Sequence, residues 1–435
     1  MKPTDALPHP DDWKTAVIGN AADIKRGVSW SKDQEHTTPY DGAIPVIGIS
    51  NVQYRLELDN LLYLSGLKPK AIEQKRVEKG WSVMVGSNGN RQRIGNAVYI
   101  DEDAEFLFAS FLIAAKPKAD SGILPEFFFR WLRSEHVQAY LSASSEGSTG
   151  LSNLSHSFFR KMTIAYPEEP EQAAIARVLD AVDKAIDRAH IAIEKAQVTR
   201  LALMQAAFHY EMTSEPKHDT DAGRIPRSWE ALKGRQAFTV LTGGNSSVHA
   251  LKPLRGDDVA DAWFMKVDDF NLPANLRQIV TTQIGFVADK NPSFKLLPLG
   301  TIIIAKRGAA ILKNRVRTAA VPVALDPNLM ALKVRDDILP DFFRYQLEWR
   351  NLARYIESSG VPQLNNKDLY PRWFVRAPEE QQQEIVVIIS AAEQHEDALH
   401  SKLTALESLK KSLMHDLLTG TMRVDPKLFK ELEAS

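Results

Sequence analysis

The chain has 435 residues, 44% of them apolar and 25% charged, with 54 Lys and Arg against 55 Asp and Glu and no cysteine. This composition excludes a wholly disordered chain, because ample apolar surface is available for burial. The missing cysteines exclude disulfides, thiolate metal sites and cysteine nucleophiles, and they fit a reducing cytosol.

The charge and the hydropathy pattern constrain the function further. A formal charge of −1 argues, taken alone, against a nucleic-acid binder, which usually has a basic excess. No apolar run of about 18 residues predicts a membrane span. Residues 1–12 are polar and proline-rich and lack the apolar core of a signal peptide.

Five features of the sequence occur twice, in the same order and at offsets of about 210 to 220 residues. Such an ordered series predicts the duplication of one structural unit. The matched pairs are Trp13 and Trp229, Val46–Val52 and Phe264–Phe270, Gly80–Val85 and Gly300–Ala305, Leu124–Phe128 and Leu339–Phe343, and Pro167–Gln172 and Pro378–Gln383.

The first part of each copy predicts short β-strands bounded by Gly, Asn, Asp and Pro. Each part then ends in an amphipathic helix, over Pro125–Leu141 and Pro340–Ile356, which starts with proline followed by an acid. The predicted strands are Val46–Ile49, Val83–Val85, Ala97–Ile100 and Phe108–Ala114 in the first copy, and Phe264–Val267, Thr301–Ala305, Ala319–Ala324 and Leu329–Val334 in the second.

The second part of each copy is a long helix whose apolar residues recur at alternating steps of four and three, the heptad pattern. Two ordinary core helices are the alternative, but matched heptads over about 35 residues favour an antiparallel coiled coil between them. Arg200, Glu396 and Lys410 are polar seam positions that would fix its register. The apolar seam positions are Ile175, Leu179, Val182, Ile186, Ile193 and Leu203, and Ile385, Ile389, Leu399, Leu403, Leu406, Leu413 and Leu417.

The predicted fold class is α+β: two tandem β-rich α/β domains are separated by two long helices that form an antiparallel coiled coil, in a pseudo-twofold internal repeat. The predicted boundaries are residues 1–165 for the first domain, 166–212 for the central helix, 213–222 for a linker, 223–377 for the second domain, 378–424 for the C-terminal helix and 425–435 for a tail.

Catalytic and cofactor motifs are nearly absent from the sequence. There is no phosphate-binding G-x-x-x-x-G-K-[ST] loop, no G-x-S-x-G elbow and no H-E-x-x-H zinc motif, so we expect no cofactor and no metal. One segment, Asn291–Phe294, is close to the Asn-Pro-Pro-aromatic motif with which adenine methyltransferases hold a flipped base. A turn before a strand is the alternative interpretation of this segment.

Polar loops follow the matched strands and contain Arg, Lys, Asn, Gln and Ser with few acids. Such side chains bind phosphates and base edges, although a solvated hairpin turn is the alternative for each loop. Further polar loops follow the helices, at residues 145–155 and 358–367. The candidate DNA-binding residues are Ser87, Asn88, Asn90, Arg91, Arg93 and Asn153 in the first copy, and Lys306, Arg307, Lys313, Asn314, Arg315, Arg317, Gln363 and Asn365 in the second.

The charges are unevenly distributed. Residues 221–375 hold about 22 basic and about 15 acidic residues, whereas residues 1–165 hold about 19 of each. The second domain therefore has the basic excess that would engage phosphates. The first domain would need a partner that supplies basic surface.

The order of these features resembles the specificity subunits of type I restriction-modification systems. The resemblance covers about residues 13–424 and includes the Pro-Glu-Glu-x-x-Gln helix starts and a closing signature over Ser412–Gly420 with Arg423 and Val424. The first helix departs from the pattern, because Met204–Phe208 lacks the Leu-Thr-Gly ending.

The resemblance implies a subunit without a catalytic site, in the cytoplasm of a prokaryote. Each globular part would be a target recognition domain that reads one half of a split, asymmetric sequence in double-stranded DNA. The helices would space these domains and dock two methyltransferase subunits, and nuclease or translocase subunits would join in some systems. Two other classes remain open: an enzyme that uses Asn291–Phe294, and a coiled-coil scaffold that binds proteins.

Overall fold

The computed structural model describes residues 5–145, 152–241, 248–356 and 361–427. The chain divides into two compact units, which we call unit 1 (residues 1–190 with 401–435) and unit 2 (residues 191–400). Each long helix contributes one part to each unit, so each unit combines one globular domain with a segment of both helices.

The first copy contains twelve described strands and six described α-helices. The strands are β1 Lys14–Val17, β2 Ala22–Arg26, β3 Glu35–His36, β4 Pro45–Ile47, β5 Leu62–Leu64, β6 Ser82–Val85, β7 Ser87–Asn88, β8 Ala97–Tyr99, β9 Leu107–Phe108, β10 Leu112–Pro117, β11 Ser152–Asn153 and β12 Thr163–Tyr166. The helices are α1 Ile18–Ala21, α2 Pro69–Lys75, α3 Pro125–Leu132, α4 Glu135–Ala143, α5 His156–Lys161 and α6 Glu169–Phe208.

The second copy follows the same plan. Its described strands are β13 Lys217–Thr220, β14 Gly223–Pro226, β15 Glu230–Lys233, β16 Phe238–Leu241, β17 Ala262–Met265, β18 Gln278–Ile279, β19 Gly285–Phe286, β20 Ile302–Ala305, β21 Val316–Ala319, β22 Val323–Leu325, β23 Leu329–Val334 and β24 Trp373–Arg376. Its described α-helices are α7 Gly234–Ala237, α8 Pro340–Arg350, α9 Asn366–Leu369 and α10 Glu379–Leu418. The hairpin β13–β14 begins inside the stretch that the sequence predicts as a linker.

The sheets repeat between the units, strand by strand. The main sheet has the order β2-β10-β6-β8 in unit 1, and the order β16-β23-β20-β21 with β18 added in unit 2. The register is also repeated, because Leu112 lies opposite Val85 as Leu329 lies opposite Ala305. A second sheet contains a parallel pair in each unit, β4 with β9 and β17 with β22. The predicted internal repeat is confirmed at the level of strand pairing.

The cores repeat as well. Trp13 packs edge-on against Phe127 at 6.3 Å between ring centroids in unit 1, and Trp229 packs against Phe342 at 5.9 Å in unit 2. All four residues of β6 and all four of β20 are buried. Such a pattern is typical of an inner strand of a sheet whose two faces are both packed against other elements. No helix in the described part of the chain is long and apolar enough to cross a membrane.

Two predicted strands are interrupted by turns. The segment Phe108–Ala114 is not one strand, because the Leu112 amide donates to the Ala109 carbonyl and closes a turn between β9 and β10. The segment Ala319–Ala324 is likewise divided between β21 and β22. In both places the chain leaves one sheet and enters the other.

The two amphipathic helices are shorter than predicted. In unit 1 the helix breaks before Ser134, whose hydroxyl accepts from the Val137 amide and caps α4. In unit 2 α8 ends at Arg350, because Asn351 adopts a φ of 59°, a left-handed conformation that stops a helix.

A buried glutamine joins each long helix to its domain. The Gln172 side chain accepts from the Leu124 amide and donates to the carbonyls of Gly122 and Pro167. In unit 2 these contacts are made by Gln382 with Leu339, Asp337 and Ala377. The sequence match to Gln383 is therefore wrong by one residue, since the buried position one turn into the helix is 382.

The long helices α6 and α10 have 40 residues each and run antiparallel within each unit. In unit 1 Asp183 pairs with Lys410, and Glu171, earlier in α6, pairs with Arg423, which follows the end of α10. Residue numbers therefore rise along one helix as they fall along the other, which is the antiparallel arrangement. In unit 2 the seam residue Arg200 pairs with Glu396 at 3.1 Å. All the predicted apolar seam residues are buried or half-buried. The polar seam positions are thus ion-paired, as register-fixing residues should be.

In unit 1 the carboxylate of Asp183 is the centre of a polar cluster. It accepts from Arg130 of α3, from the Tyr54 hydroxyl at 2.7 Å and from the Lys410 ammonium at 2.6 Å. Burial by itself raises the pKa of this carboxyl, but the charges of Arg130 and Lys410 outweigh burial and lower it to about 2. Burial, together with the charge of Arg133, lowers the pKa of Lys410, although its contact with Asp183 acts in the opposite direction.

In unit 2 Glu393 occupies the position in α10 that Asp183 occupies in α6. The Arg344 guanidinium of α8 binds its two oxygens at 3.0 and 2.8 Å, and the Tyr345 hydroxyl donates at 2.8 Å. Arg277 contacts Glu393 at 3.7 Å and Glu396 at 3.2 Å. Each domain is therefore attached to its long helix by an arginine and a tyrosine that donate to one carboxylate, which is half-buried in Asp183 and buried in Glu393.

The hydrogen bonds of the buried Gln382 predict that substitutions at the adjacent residues Gln382 and Gln383 change the free energy of unfolding by very different amounts. We expect Gln382→Leu to lower the free energy of unfolding by roughly 3 kcal/mol, because it leaves the Leu339 amide and two carbonyls unpaired. Gln383, which is exposed and bonds only Glu379 among the described hydrogen bonds, is the matched control. Denaturant unfolding measures both variants. An equal effect of Gln382→Leu and Gln383→Leu would contradict the claim that Gln382 attaches α10 to its domain.

The Asp183 cluster predicts a pH-dependent stability. The pKa of Asp183 is lower in the folded state than its usual 3.8, so its contribution is complete at neutral pH and is lost as the pH falls from about 4 to 2. Asp183→Asn should cost about 2 kcal/mol at pH 7 and progressively less below pH 4. Unfolding measured across this range tests it, with the exposed Asp103→Asn as a control that changes stability little.

Candidate nucleic-acid interface

In unit 1 three segments meet where the central strand β6 ends. The Leu154 amide donates to the Gly86 carbonyl, and the short strands β7 and β11 pair beside it. The Ser87 hydroxyl donates to the Asn153 side-chain oxygen at 2.6 Å. The turn after β9 completes the group, because the amides of Gly86 and Ser87 both donate to the Phe111 carbonyl at 2.9 Å.

Unit 2 builds the same arrangement at the end of β20. The Leu364 amide donates to the Lys306 carbonyl, and Arg307 forms a β-bridge with Gln363. The Lys306 amide donates to the Asn328 carbonyl at 2.8 Å. We call these two places, at equivalent ends of the two main sheets, the loop site of unit 1 and the loop site of unit 2.

The structure separates the predicted residues of the first copy into two groups. Ser87, Asn88 and Asn153 lie together in the loop site of unit 1, where Asn88 pairs across to Ser152. Arg91 and Arg93 turn away from the β7–β11 ladder: Arg91 donates to the carbonyls of Ser142 and Ala143 at the end of α4, and Arg93 donates to those of Ile49 and Val52.

Asn90 stays near the loop site but has a local role. It is exposed, and its side-chain oxygen accepts from the Gln92 amide and caps a short 3-10 helix. The residues Gly147, Ser148 and Thr149 of the second polar loop lie outside the described residues.

In unit 2 Lys306, Arg307 and Gln363 come together, and Asn365 accepts from the Gln363 amide at 3.2 Å. Arg307 and Gln363 are exposed and Lys306 is half-buried. Asn365 also caps α9, since its backbone amide donates to Asp368. This site combines two cations with an amide side chain that donates and accepts.

The run from Lys313 to Arg317 is elsewhere and is mostly structural. Asn314, in a left-handed conformation, donates to the Glu348 carbonyl and accepts from the Leu352 amide. Arg317 is part of β21, not of a loop; its side chain is only 12% exposed and donates to the Asn275 carbonyl. Burial lowers the pKa of Arg317 to about 10.

The remaining two residues of that run face the surface to different degrees. Lys313 is exposed at the end of a short 3-10 helix. Arg315 is half-buried and donates to the side-chain oxygen of Asn271.

The loop sites also contain groups that were not predicted from the sequence. Arg26 ends β2 opposite Ile113 and donates to His156 at 2.8 Å. Burial, together with the charges of Arg26 and Arg160, lowers the pKa of His156. Phe111 and Asn328 occupy the exposed tips of the two equivalent turns. The residues Asp326-Pro327-Asn328 are typical of a turn. Aligning the two copies would have predicted an equivalent turn at Phe111, and so would have identified both positions.

The methyltransferase-like segment has no free recognition groups. The Asn291 side chain is buried, accepting from the Lys252 amide and donating to the Val287 carbonyl. Phe294 is also buried and packs against Phe264 and Phe286 at 5.8 and 5.7 Å. Because both groups serve the core, the interpretation of Asn291–Phe294 as a base-binding site is wrong.

The comparisons with known proteins agree with this architecture. Residues 10–196 match the family model described as the type I restriction modification DNA specificity domain. The MjaX specificity subunit of Methanocaldococcus jannaschii is 21% identical over 435 residues, which cover 98% of this chain and 97% of that relative. The StySPI specificity subunit of Salmonella potsdam is 24% identical over 189 residues, 43% of this chain, and the match spans only 39% of that relative.

Solved structures share the fold over nearly the whole chain. The S subunit of a type I restriction-modification system from M. genitalium aligns with a TM-score of 0.56 at 16% identity, covering 93% of this chain and 96% of that one. A structure from a study of type I complex assembly and conformational transition aligns with a TM-score of 0.55 at 15% identity, covering 95% and 99%.

The relatives carry the name of specificity subunits, which supports the prediction that this chain is not itself an enzyme. By sequence and by fold the chain resembles the specificity subunits of type I restriction-modification systems, and its residues 10–196 match the model of the type I restriction modification DNA specificity domain.

Proposed function

We propose that the chain is the DNA-reading subunit of a type I restriction-modification complex and that its two loop sites read the two halves of a split target. The observation that carries the proposal is the repetition of one site on one framework. Ser87, Asn88 and Asn153 in unit 1 stand where unit 2 has Arg307 and Gln363.

Different side chains on equivalent frameworks imply that the two half-sites differ. Serine and asparagine donate and accept hydrogen bonds at base edges, and asparagine suits adenine. Arginine makes its best paired contact with guanine, and glutamine suits adenine. The proposed target is therefore asymmetric as well as split.

The electrostatics give the two units unequal shares of the binding energy. Unit 2 has the basic domain, with Lys306 and Arg307 at its loop site, and we assign Lys306 to a phosphate and Arg307 to a base edge. The loop site of unit 1 has mainly neutral hydrogen-bonding groups and Arg26. A partner that adds basic surface would then be needed for tight binding.

This assignment predicts different effects of two adjacent substitutions. Lys306→Ala should weaken all DNA about equally and lower the salt dependence of log K by about one. Arg307→Ala should cost roughly 1–3 kcal/mol and relax selectivity at one position of one half-site. Titration of DNA at several salt concentrations, with the chain co-purified with its methyltransferase partner, measures both effects.

The matched control is Arg235→Ala. Arg235 is exposed in the same unit, but it precedes the strand residue Phe238, which pairs with Val334 at the end of β23 away from the loop site. We expect it to bind as the unaltered protein does. Equal effects of Arg235→Ala and Arg307→Ala would contradict a local reading role and leave only general electrostatic attraction.

We further propose that the paired helices dock methyltransferase subunits, two per chain, and a nuclease or translocase subunit in systems that have one. Apolar side chains are exposed on one face of α6 in unit 2: Ile191 is 50% exposed, Val198 67% and Leu201 55%. On α10 in the same unit Val387 is 65% exposed. Apolar residues exposed on the solvent face of a helix, away from its buried seam, mark a candidate protein-binding surface.

Introducing negative charges on the exposed apolar face of α6 tests whether this face binds the methyltransferase subunit. Val198→Asp with Leu201→Asp should reduce the amount of methyltransferase subunit that co-purifies at least tenfold, because two carboxylates would be buried without partners. Thr199→Asp, at an exposed neighbouring position, is the control that should retain the partner. Retention of the partner by the double variant would exclude this face.

The same experiments separate the proposal from a protein-binding scaffold. A scaffold would keep its partner and show no dependence of DNA sequence preference on Arg307 or Asn153. A DNA reader would keep its partner and change its preference.

A further inference from the structure

We propose that Phe111 is a specificity-determining residue that reads a thymine in one half-site through contact of its ring with the C5-methyl group. This inference rests on the proposed DNA-reading function and adds a residue that the hydrogen-bonding pattern of the loops does not reveal. The position lies at the tip of the turn Ala109–Leu112 in the loop site of unit 1.

The exposure of this ring is unusual in this chain. Phe111 is 50% exposed and is the most exposed phenylalanine among the described residues. Most other phenylalanines of the same unit are buried, although Phe158 is half-buried: Phe106, Phe108, Phe127, Phe128 and Phe159 are each exposed by 2% or less. The ring therefore adds little to the core, although its backbone is held firmly.

The backbone at this turn is fixed by the loop itself. The Phe111 carbonyl accepts from both Gly86 and Ser87, and the Leu112 amide closes the turn on Ala109. The backbone of Gly86 packs closely here, since a Cβ added to it would lie 2.9 Å from the Ile113 side chain and 3.2 Å from the Phe111 carbonyl. The close approach at Gly86 thus places the turn tip against the segment that presents Ser87 and Asn153.

The chemistry of the ring selects its partner. A phenyl group cannot hydrogen-bond to a base edge, and the apolar feature that the major groove presents is the thymine methyl. The neighbouring Asn88 and Asn153, the latter held by the buried Ser87 hydroxyl, supply the polar contacts that would orient the same stretch of DNA. An apolar ring among these groups distinguishes thymine from cytosine, which lacks the methyl.

The second copy supports a reading role for this position. Asn328 stands at the equivalent tip, its carbonyl accepting from Lys306 and its turn closed by the Leu329 amide on Asp326. Asparagine pairs with adenine, whereas phenylalanine contacts thymine. The framework is kept while the side chain at the tip changes, as expected where two domains read different sequences.

The test removes a single methyl group from the DNA. Once the target is mapped, each of its thymines on either strand is replaced in turn by deoxyuridine, and binding is measured with the methyltransferase-bound complex. For the unaltered chain one replacement should weaken binding about fourfold, the value expected for one buried methyl. Phe111→Ala should bind the intact target more weakly and be insensitive to that replacement.

Control variants keep the outcome decisive. Phe111→Leu, which retains an apolar side chain, should keep part of the sensitivity to the methyl group. Val17→Ala changes another exposed apolar residue of unit 1, 41% exposed in β1, and should behave as the unaltered chain. Thermal unfolding of all variants should be the same within error, because the ring is largely outside the core.

The inference is overturned if no thymine replacement affects the unaltered chain, or if one does so equally in Phe111→Ala. In either case sequence-specific binding by the unaltered complex would leave the proposed function standing. Loss of sequence-specific binding by the unaltered complex would instead refute the proposed function, and the inference with it.

Discussion

One carboxylate on each long helix, half-buried in α6 and buried in α10, holds a globular domain to the helical pair. Asp183 and Glu393 occupy the same position in two 40-residue helices, and each accepts from an arginine and a tyrosine of its domain. A buried carboxylate without these partners would be costly, so each domain can dock only where its arginine reaches the helix. The buried glutamines Gln172 and Gln382 add a second attachment near the start of each helix.

These two attachments explain how variable loops coexist with a constant framework. The main sheet is fixed by its register and by the helix packed on it, while the loops leave it at the end of β6 or β20. Substitutions in the exposed residues Asn153, Arg307 or Gln363 then change surface chemistry without touching the core. If the proposed function holds, this separation lets the loop residues differ between the two copies while the sheet and the helices keep the same contacts.

Much of the architecture could be predicted because its signals are repeated. The heptad seam, the helix start with proline and an acid, and the central apolar strand (β6 in one copy, β20 in the other) each occur once in each copy. A prediction made for one copy can therefore be checked against the other. The failures were local. The sequence motif matched Gln383 instead of Gln382 because the two copies differ by one residue between the proline and the start of the helix. Which glutamine is buried depends on its position counted from the helix start, and the motif does not define that position.

The site was less predictable than the fold, for a physical reason. Arginine and asparagine bind backbone carbonyls and amides within a protein as readily as they bind DNA, so composition alone does not separate the two uses. Arg93, Asn314 and Arg317 have the residue types of a DNA-binding loop, yet they satisfy carbonyls and carboxylates of their own units. Phe111 was missed for the opposite reason, since an apolar residue in an apolar run is normally taken to be core.

The most direct test of the central claim is a map of methylated bases in DNA from cells with and without this chain. The account predicts a split, asymmetric motif that disappears when the chain is deleted. Exchanging Lys306–Gly308 together with Gln363 for the corresponding residues of a related specificity subunit should alter one half of the motif and leave the other half intact. A methylation pattern that does not depend on the chain, or a change in both halves at once, would contradict it.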